Sequence, residues 1–199
     1  MTTLTSPNLL ADRVSFGAAT PAWVKQAALV ALGVALLIIS AKIRIPMWPV
    51  PITMGTFAVL CLGAAYGIRL GLVTILVYMA IGALGFNVFS GSSAESFGLA
   101  YMMGGTGGYL VGFVLATLVM GYLGTRGWDR SVPWMALAML IGNVVIYVPG
   151  LLWLGQLFGW DKPILEWGLW PFLVGDALKL ALAAMLLPLL WKALDAPRA

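Results

Sequence analysis

Histidine is absent from the 199 residues, and cysteine occurs once, as Cys61. The first absence excludes histidine-based triads and the usual His-containing zinc sites. The second excludes a disulfide within one chain and any paired-cysteine metal site. Charge is also scarce: Asp, Glu, Lys and Arg make up 9% of the chain, against about 25% in a soluble domain. Such a sequence cannot cover its surface with polar groups in water. With 62% hydrophobic residues and a mean hydropathy of +1.00, it reads as a polytopic membrane protein solvated largely by lipid. Catalytic signatures are missing as well. No His-Glu-x-x-His, Gly-x-Ser-x-Gly or paired-cysteine motif occurs, and no histidine can activate a serine. A lysine-activated serine would need Lys179, which is expected to be engaged by Asp176. The chain is therefore not expected to be an enzyme.

What is present is a series of apolar segments: Val24–Ala41, Ile52–Ile68, Leu70–Gly85, Gly105–Leu123, Pro133–Leu154 and Trp167–Trp191. Several are shorter than the ~20 residues of a full span, and Gly and Pro at their ends suggest broken or re-entrant pieces. The expected fold is an all-α membrane bundle of about six helices, with five or seven still open. Residues 1–22 read as a cytoplasmic lead, 23–192 as the transmembrane domain and 193–199 as a cytoplasmic tail. With the N-terminus inside, seven cations fall inside (Arg13, Lys25, Arg69, Arg126, Arg130, Lys192, Arg198) and three outside (Lys42, Arg44, Lys162). That bias is the one expected for both termini in the cytoplasm, and it accounts for the net charge of +4.

The last apolar segment holds an acid and a base, Asp176 and Lys179. Three residues apart, they share a helix face. A charge at membrane depth costs ~3 kcal/mol on insertion scales, so the pair calls for a ligand, a partner or each other. The topology places it in the outer half of the membrane. Asn143 and Tyr147, four apart, share a face of the preceding segment. They either present an amide and a phenol to the same cavity or bond neighbouring helices. Two outer loops are unusual. Residues 42–53 carry Pro46, Pro49 and Pro51, which hold an extended stretch suited to a lid, or to an ordinary connector with Trp48 at the interface. Residues 85–109 are rich in aromatics and glycine, including Asn87 and Phe89, and are expected to fold back and line a pocket. Gly104-Gly105-Thr106-Gly107-Gly108 lacks the Lys-Ser or Lys-Thr of a phosphate loop, so close backbone approach is the better reading. Gly63, Gly67 and Gly71 flank Arg69 at a tight turn and read as close helix packing. Ala27, Ala31 and Ala35 form a small-residue stripe, for packing within the bundle or for docking a separate membrane subunit. Residue chemistry alone arrives at a membrane protein with a small outward-facing polar pocket; a structural ion pair closing the bundle is the competing reading.

Several motifs together resemble a family. Pro49-Val50-Pro51-Ile52-Thr53 is followed by Gly63-Ala64 and Gly67, then by Gly82-Ala83-Leu84-Gly85 with Val88-Phe89-Ser90-Gly91. Gly105-Thr106-Gly107-Gly108-Tyr109-Leu110-Val111-Gly112-Phe113 and Gly175-Asp176-x-x-Lys179 complete the set. In order and spacing they are similar to the BioY family of biotin transporters, from about Ala27 to Leu190. The resemblance implies a biotin-binding S component of an energy-coupling-factor (ECF) importer in the bacterial cytoplasmic membrane. Its partners would be a transmembrane coupling subunit and two ATP-binding subunits; no cofactor, metal or nucleic acid is implied. It gives Ala27, Ala31 and Ala35 the coupling face, and biotin contact to Asp176 and Lys179, with Asn143, Tyr147, Asn87 and Phe89 as further pocket residues. The expected split has Asp176 accepting a ureido N–H and Lys179 serving the carboxylate or carbonyl. One helical turn is shorter than biotin, so another cation or loop N–H groups would hold the far end. An S component for another vitamin, a solitary carrier and a structural scaffold are the alternatives. Asn87 stands where the family often has proline, and Gly104-Gly105-Thr106 where Gly-Pro-Thr is common.

Overall fold

A computed structural model describes residues 9–14, 20–91 and 97–195. The start of the expected lead, its residues 15–19, the serine-rich centre of the long outer loop and residues 196–199 lie outside the described residues. The elements run α1 (Leu10–Arg13), α2 (Ala22–Lys42), β1 (Arg44–Ile45), β2 (Ile52–Thr53), α3 (Gly55–Ala83), α4 (Gly98–Met102) and α5 (Gly107–Thr125). A 3₁₀ turn (Trp128–Arg130), α6 (Val132–Phe158), α7 (Ile164–Gly168) and α8 (Trp170–Asp195) complete the chain. β1 and β2 pair antiparallel, Arg44 opposite Thr53 and Ile45 opposite Ile52.

Among the described residues, five helical stretches are long and apolar enough to cross a membrane. One of them is two limbs. A straight α3 of 29 residues would be about 43 Å long, well beyond a hydrocarbon core of about 30 Å. Gly67 breaks it with φ 73° and ψ −176°, a backbone conformation that L side chains rarely adopt. A Cβ placed on Gly71 would lie 3.7 Å from the Cα of Gly63, whereas eight residues of straight helix separate atoms by about 12 Å. The chain therefore reverses at Gly67, and residues 55–66 and 68–83 form an antiparallel pair. Counted this way, the bundle has the six membrane-embedded helices expected from the apolar segments.

The helices are apolar on all sides, because lipid and protein interior are equally apolar. Glycine and alanine are concentrated on the inward face of α5, between larger buried residues. Gly107, Gly108, Gly112, Ala116, Gly121 and Gly124 are buried, while Val111, Leu115 and Tyr122 face outward. A Cβ at Gly112 would stand 2.7 Å from the carbonyl oxygen of Ile146 on α6, and one at Gly121 would stand 2.6 Å from the nitrogen of Ile68. Backbones touch here, which is how small residues hold membrane helices together. The glycines of residues 104–108 act in the same way. A side chain at Gly108 would collide with the Pro149 carbonyl and Trp153.

The end of the bundle that carries both termini is closed around Trp191, which is 3% exposed. Its Nε1 donates to Asp129 Oδ2 at 2.7 Å. The Arg130 guanidinium lies 4.1 Å from the centroid of its ring. Arg13 lies 5.8 Å from the ring and pairs with Asp195 at 3.0 Å. The turn between α5 and α6, the α1 segment and the end of α8 are thus fastened together. Burial pushes the Asp129 carboxyl up to about 6, against the opposing pull of the Trp191 hydrogen bond and the Arg130 charge. A carboxyl raised in the folded state holds a proton that the unfolded chain releases at lower pH. Stability should therefore fall as pH rises from about 4 to about 6 and level off above. Thermal unfolding of the purified protein across that range should show the decline, and Asp129→Asn should flatten it. An unchanged slope in Asp129→Asn would assign the decline to another group.

Candidate functional site

The halves of α2, α3, α5, α6 and α8 remote from Trp191 converge on one cavity of about 60 Å³. Its apolar walls come from residues such as Leu37, Val59, Leu110, Phe113 and Ile146. Val50, Pro51 and Thr53 of the first outer loop, with Phe89, Ser90 and Tyr101 of the second, close its outer side. Both loops thus fold onto the bundle. Trp48, at the tip of the first, packs edge-on against Phe158 and Trp167, with ring centroids 5.4 and 5.2 Å away. In the second, Tyr101 stacks on Phe89 at 5.2 Å, and Trp153 donates to the Gly104 carbonyl at 2.8 Å.

Asp176 and Lys179 lie on the inward face of α8, only 5% and 7% exposed. Lys179 Nζ donates to Asp176 Oδ1 at 3.0 Å and to Thr56 Oγ1 at 3.0 Å. The Tyr147 hydroxyl donates to the other carboxylate oxygen, Oδ2. Four side chains from α3, α6 and α8 therefore make one network. Removing two charges from water costs several kcal/mol each, offset only when the remaining polar valences are also bonded. Thr56 and Tyr147 supply those bonds. Of its three N–H donors, Lys179 spends two on Asp176 and Thr56.

Lys179, Thr56 and Tyr147 line the cavity, whereas Asp176 stands behind them. Asp176, Tyr147 and Asn143 line a separate groove of about 380 Å³ between α6 and α8. Tyr147 is the wall between the two spaces, and Asn143, 8% exposed, is turned to the groove. Of the residues singled out in the sequence, Lys179, Tyr147 and Phe89 come together around the cavity and Asp176 backs them. Asn87 is elsewhere: exposed, it accepts a 2.6 Å hydrogen bond from Lys42 at the outer rim. Its departure from proline adds a hydrogen bond between the two outer loops. Thr56 escaped the sequence reading, since it meets Lys179 across 123 residues. Its one local signal is its place at the start of a helix just after Pro51-Ile52-Thr53. Ala27, Ala31 and Ala35 are exposed along α2, on a groove of about 1400 Å³ whose other wall includes Val73, Val77 and Ile81 of the second α3 limb.

This architecture defines a class: a multi-pass helical membrane protein with a small, mostly apolar cavity under its outer loops. It aligns with the crystal structure of the S-component for biotin from an ECF-type ABC transporter at a TM-score of 0.72. The alignment covers 87% of this chain and 95% of that one at 23% identity, and it establishes a common fold. Residues 9–196 match the BioY family. A probable biotin transporter BioY of Pyrococcus horikoshii is 41% identical over 162 residues, which is 81% of this chain and 93% of the relative. The biotin transporter BioY of Thermotoga maritima is 32% identical over 152 residues, 76% of this chain and 87% of the relative. The chain belongs to the BioY family, a family of transporters and not of enzymes.

Breaking the network from one side should cost more than removing it. Asp176→Ala leaves a buried ammonium without its counter-charge, a loss of about 3–5 kcal/mol for a broken buried pair. Asp176→Ala/Lys179→Met removes both charges and should recover most of the lost thermal stability. A double variant no more stable than Asp176→Ala would show that the two residues are not energetically coupled.

Proposed function

We propose that the chain is the biotin-binding subunit of a membrane importer, energised by a separate coupling subunit and ATP-binding subunits. The observation that carries this reading is the cavity itself, with a donor-acceptor set at one end and apolar walls beyond it. The biotin transporters among its relatives favour the particular ligand. Biotin's ureido ring has a carbonyl and two N–H groups, and its thiophane ring is apolar. The remaining N–H of Lys179 meets the ureido carbonyl. The Tyr147 oxygen, whose proton is given to Asp176, accepts a ureido N–H, and Thr56 Oγ1 offers a second acceptor. Asp176 then works through its neighbours, pairing with Lys179 and orienting Tyr147. This replaces the expected role of Asp176, direct acceptance of a ureido N–H, with support of the contact residues. Phe89 supplies apolar wall. Asn143 has no part in this arrangement, and Asn87 acts only by holding the rim.

The cavity of about 60 Å³ is small beside the roughly 300 Å³ and more of pockets that enclose drug-sized ligands. Ligand entry therefore requires the outer loops to move outward, and the Trp48–Phe158–Trp167 contacts are those that part. Release into the cell requires a partner, and the exposed alanine stripe gives it a place to pack. The cation bias supports a cytoplasmic location for both termini, with the Trp191 cluster at the inner face and the cavity at the outer face.

Two measurements test the reading. Biotin should stabilise the purified protein in a thermal-shift panel that includes thiamin and riboflavin, and Lys179→Ala should weaken biotin binding by more than about tenfold (~1.4 kcal/mol). Stabilisation by another vitamin and not by biotin would reassign the substrate; stabilisation by none would favour a scaffold. Ala31→Trp should abolish biotin uptake in cells carrying the coupling module while leaving biotin affinity intact. Uptake that survives this substitution would remove the α2 face as the docking surface.

A further inference from the structure

Lys42 and Arg44 are the second pair of charges near the cavity. Lys42 is the last residue of α2, and Leu37 and Ala41 of the same helix line the cavity. Its Nζ donates to the Phe89 carbonyl at 2.7 Å and to Asn87 Oδ1 at 2.6 Å. Arg44 donates through NH1 to the Ser90 carbonyl. Phe89 and Ser90 are themselves cavity wall, so both cations sit on the lip, one residue's thickness from the interior. Neither has a carboxylate partner among the described residues. Lys42 has one of three N–H donors unspent, and Arg44 has four of five.

The two ends of the cavity therefore differ in charge. At the deep end Lys179 is matched by Asp176, one positive charge against one negative. At the lip two like charges face each other with no anion beside them among the described residues. An anionic group is attracted less by a neutral pair than by two positive charges that have no acidic partner among the described residues.

We infer that Lys42 and Arg44 form the carboxylate-reading end of the site, gripping the acid of a ligand whose neutral polar head lies against Lys179. This rests on the binding reading above and adds to it a division of labour: the lip selects for negative charge, the deep end for the hydrogen-bonding head. Because each cation also holds a carbonyl of the second outer loop, a carboxylate bound between them ties both outer loops to the ligand.

The test compares biotin with its methyl ester, which keeps the ureido head and removes the charge. Both are titrated into the purified full chain, wild type and variants. Wild type should prefer the acid by about tenfold or more. In Lys42→Gln/Arg44→Gln the acid should weaken to the level of the ester, so that the ratio of the two affinities falls to about one. Lys179→Met should weaken acid and ester alike and preserve their ratio. Added salt should weaken the acid and spare the ester in wild type, because exposed charges are screened and the buried pair is not. This arm decides the matter if the double variant binds neither compound. An acid preference that survives in Lys42→Gln/Arg44→Gln, or disappears only in Lys179→Met, would overturn the inference. So would equal wild-type affinity for acid and ester. Failure of wild type to bind either compound would instead remove the underlying biotin reading, and the inference with it.

Discussion

The constraint on which the structure depends is the cost of placing a charge where there is no water. Asp176 and Lys179 meet it with a network in which both carboxylate oxygens are bonded and the ammonium is shared between Asp176 and Thr56. That network needs three helices at once, because its members come from α3, α6 and α8. The polar site is thus also the point at which the outer half of the bundle is joined. A pair bonded only to itself would have closed the bundle without addressing the cavity. Here Lys179, Thr56 and Tyr147 reach the cavity, while the negative charge is held back from it.

Bringing those helices close enough is the work of glycine. With lipid outside and apolar side chains inside, burial gives little drive for association, and contact between backbones does more. Gly112 against Ile146 and Gly121 against Ile68 draw α5 to α6 and to the α3 turn. Gly67 lets one apolar run become two antiparallel limbs. The first limb, residues 55–66, starts with Gly55 and Thr56 lining the cavity, so the short limb is what delivers Thr56 to Lys179.

The two ends of the bundle use charge differently. The end with the termini packs cations onto an aromatic ring and a buried carboxylate, fastening α1, the α5–α6 turn and α8. The opposite end leaves two cations without acidic partners among the described residues and uses them to hold carbonyls at the cavity lip. The first arrangement satisfies charge within the protein. The second leaves positive charge at the cavity lip.

Much of this was legible in the residues. Scarce charge and apolar runs determined a helical membrane protein, and the reversal at Gly67 agrees with two short segments separated near Arg69. The spacing of Asp176 and Lys179 determined that they share a face, since helical periodicity is local. The same periodicity placed Asn143 and Tyr147 together but could not say which space each one borders; α6 rotates so that Tyr147 divides cavity from groove while Asn143 meets only the groove. Thr56 carried only the weak signal of its place after Pro51-Ile52-Thr53, because its role arises from a contact across 123 residues. Nor could sequence show that Lys42 reaches Phe89 and Asn87, or that Asp176 stands behind its neighbours. Composition and periodicity act within one segment, and they determined the helices and which charges must find partners. The partners themselves, and the side of the cavity from which each group acts, were decided only when separate helices packed, because distance across the bundle is set by backbone contact and not by position in the chain.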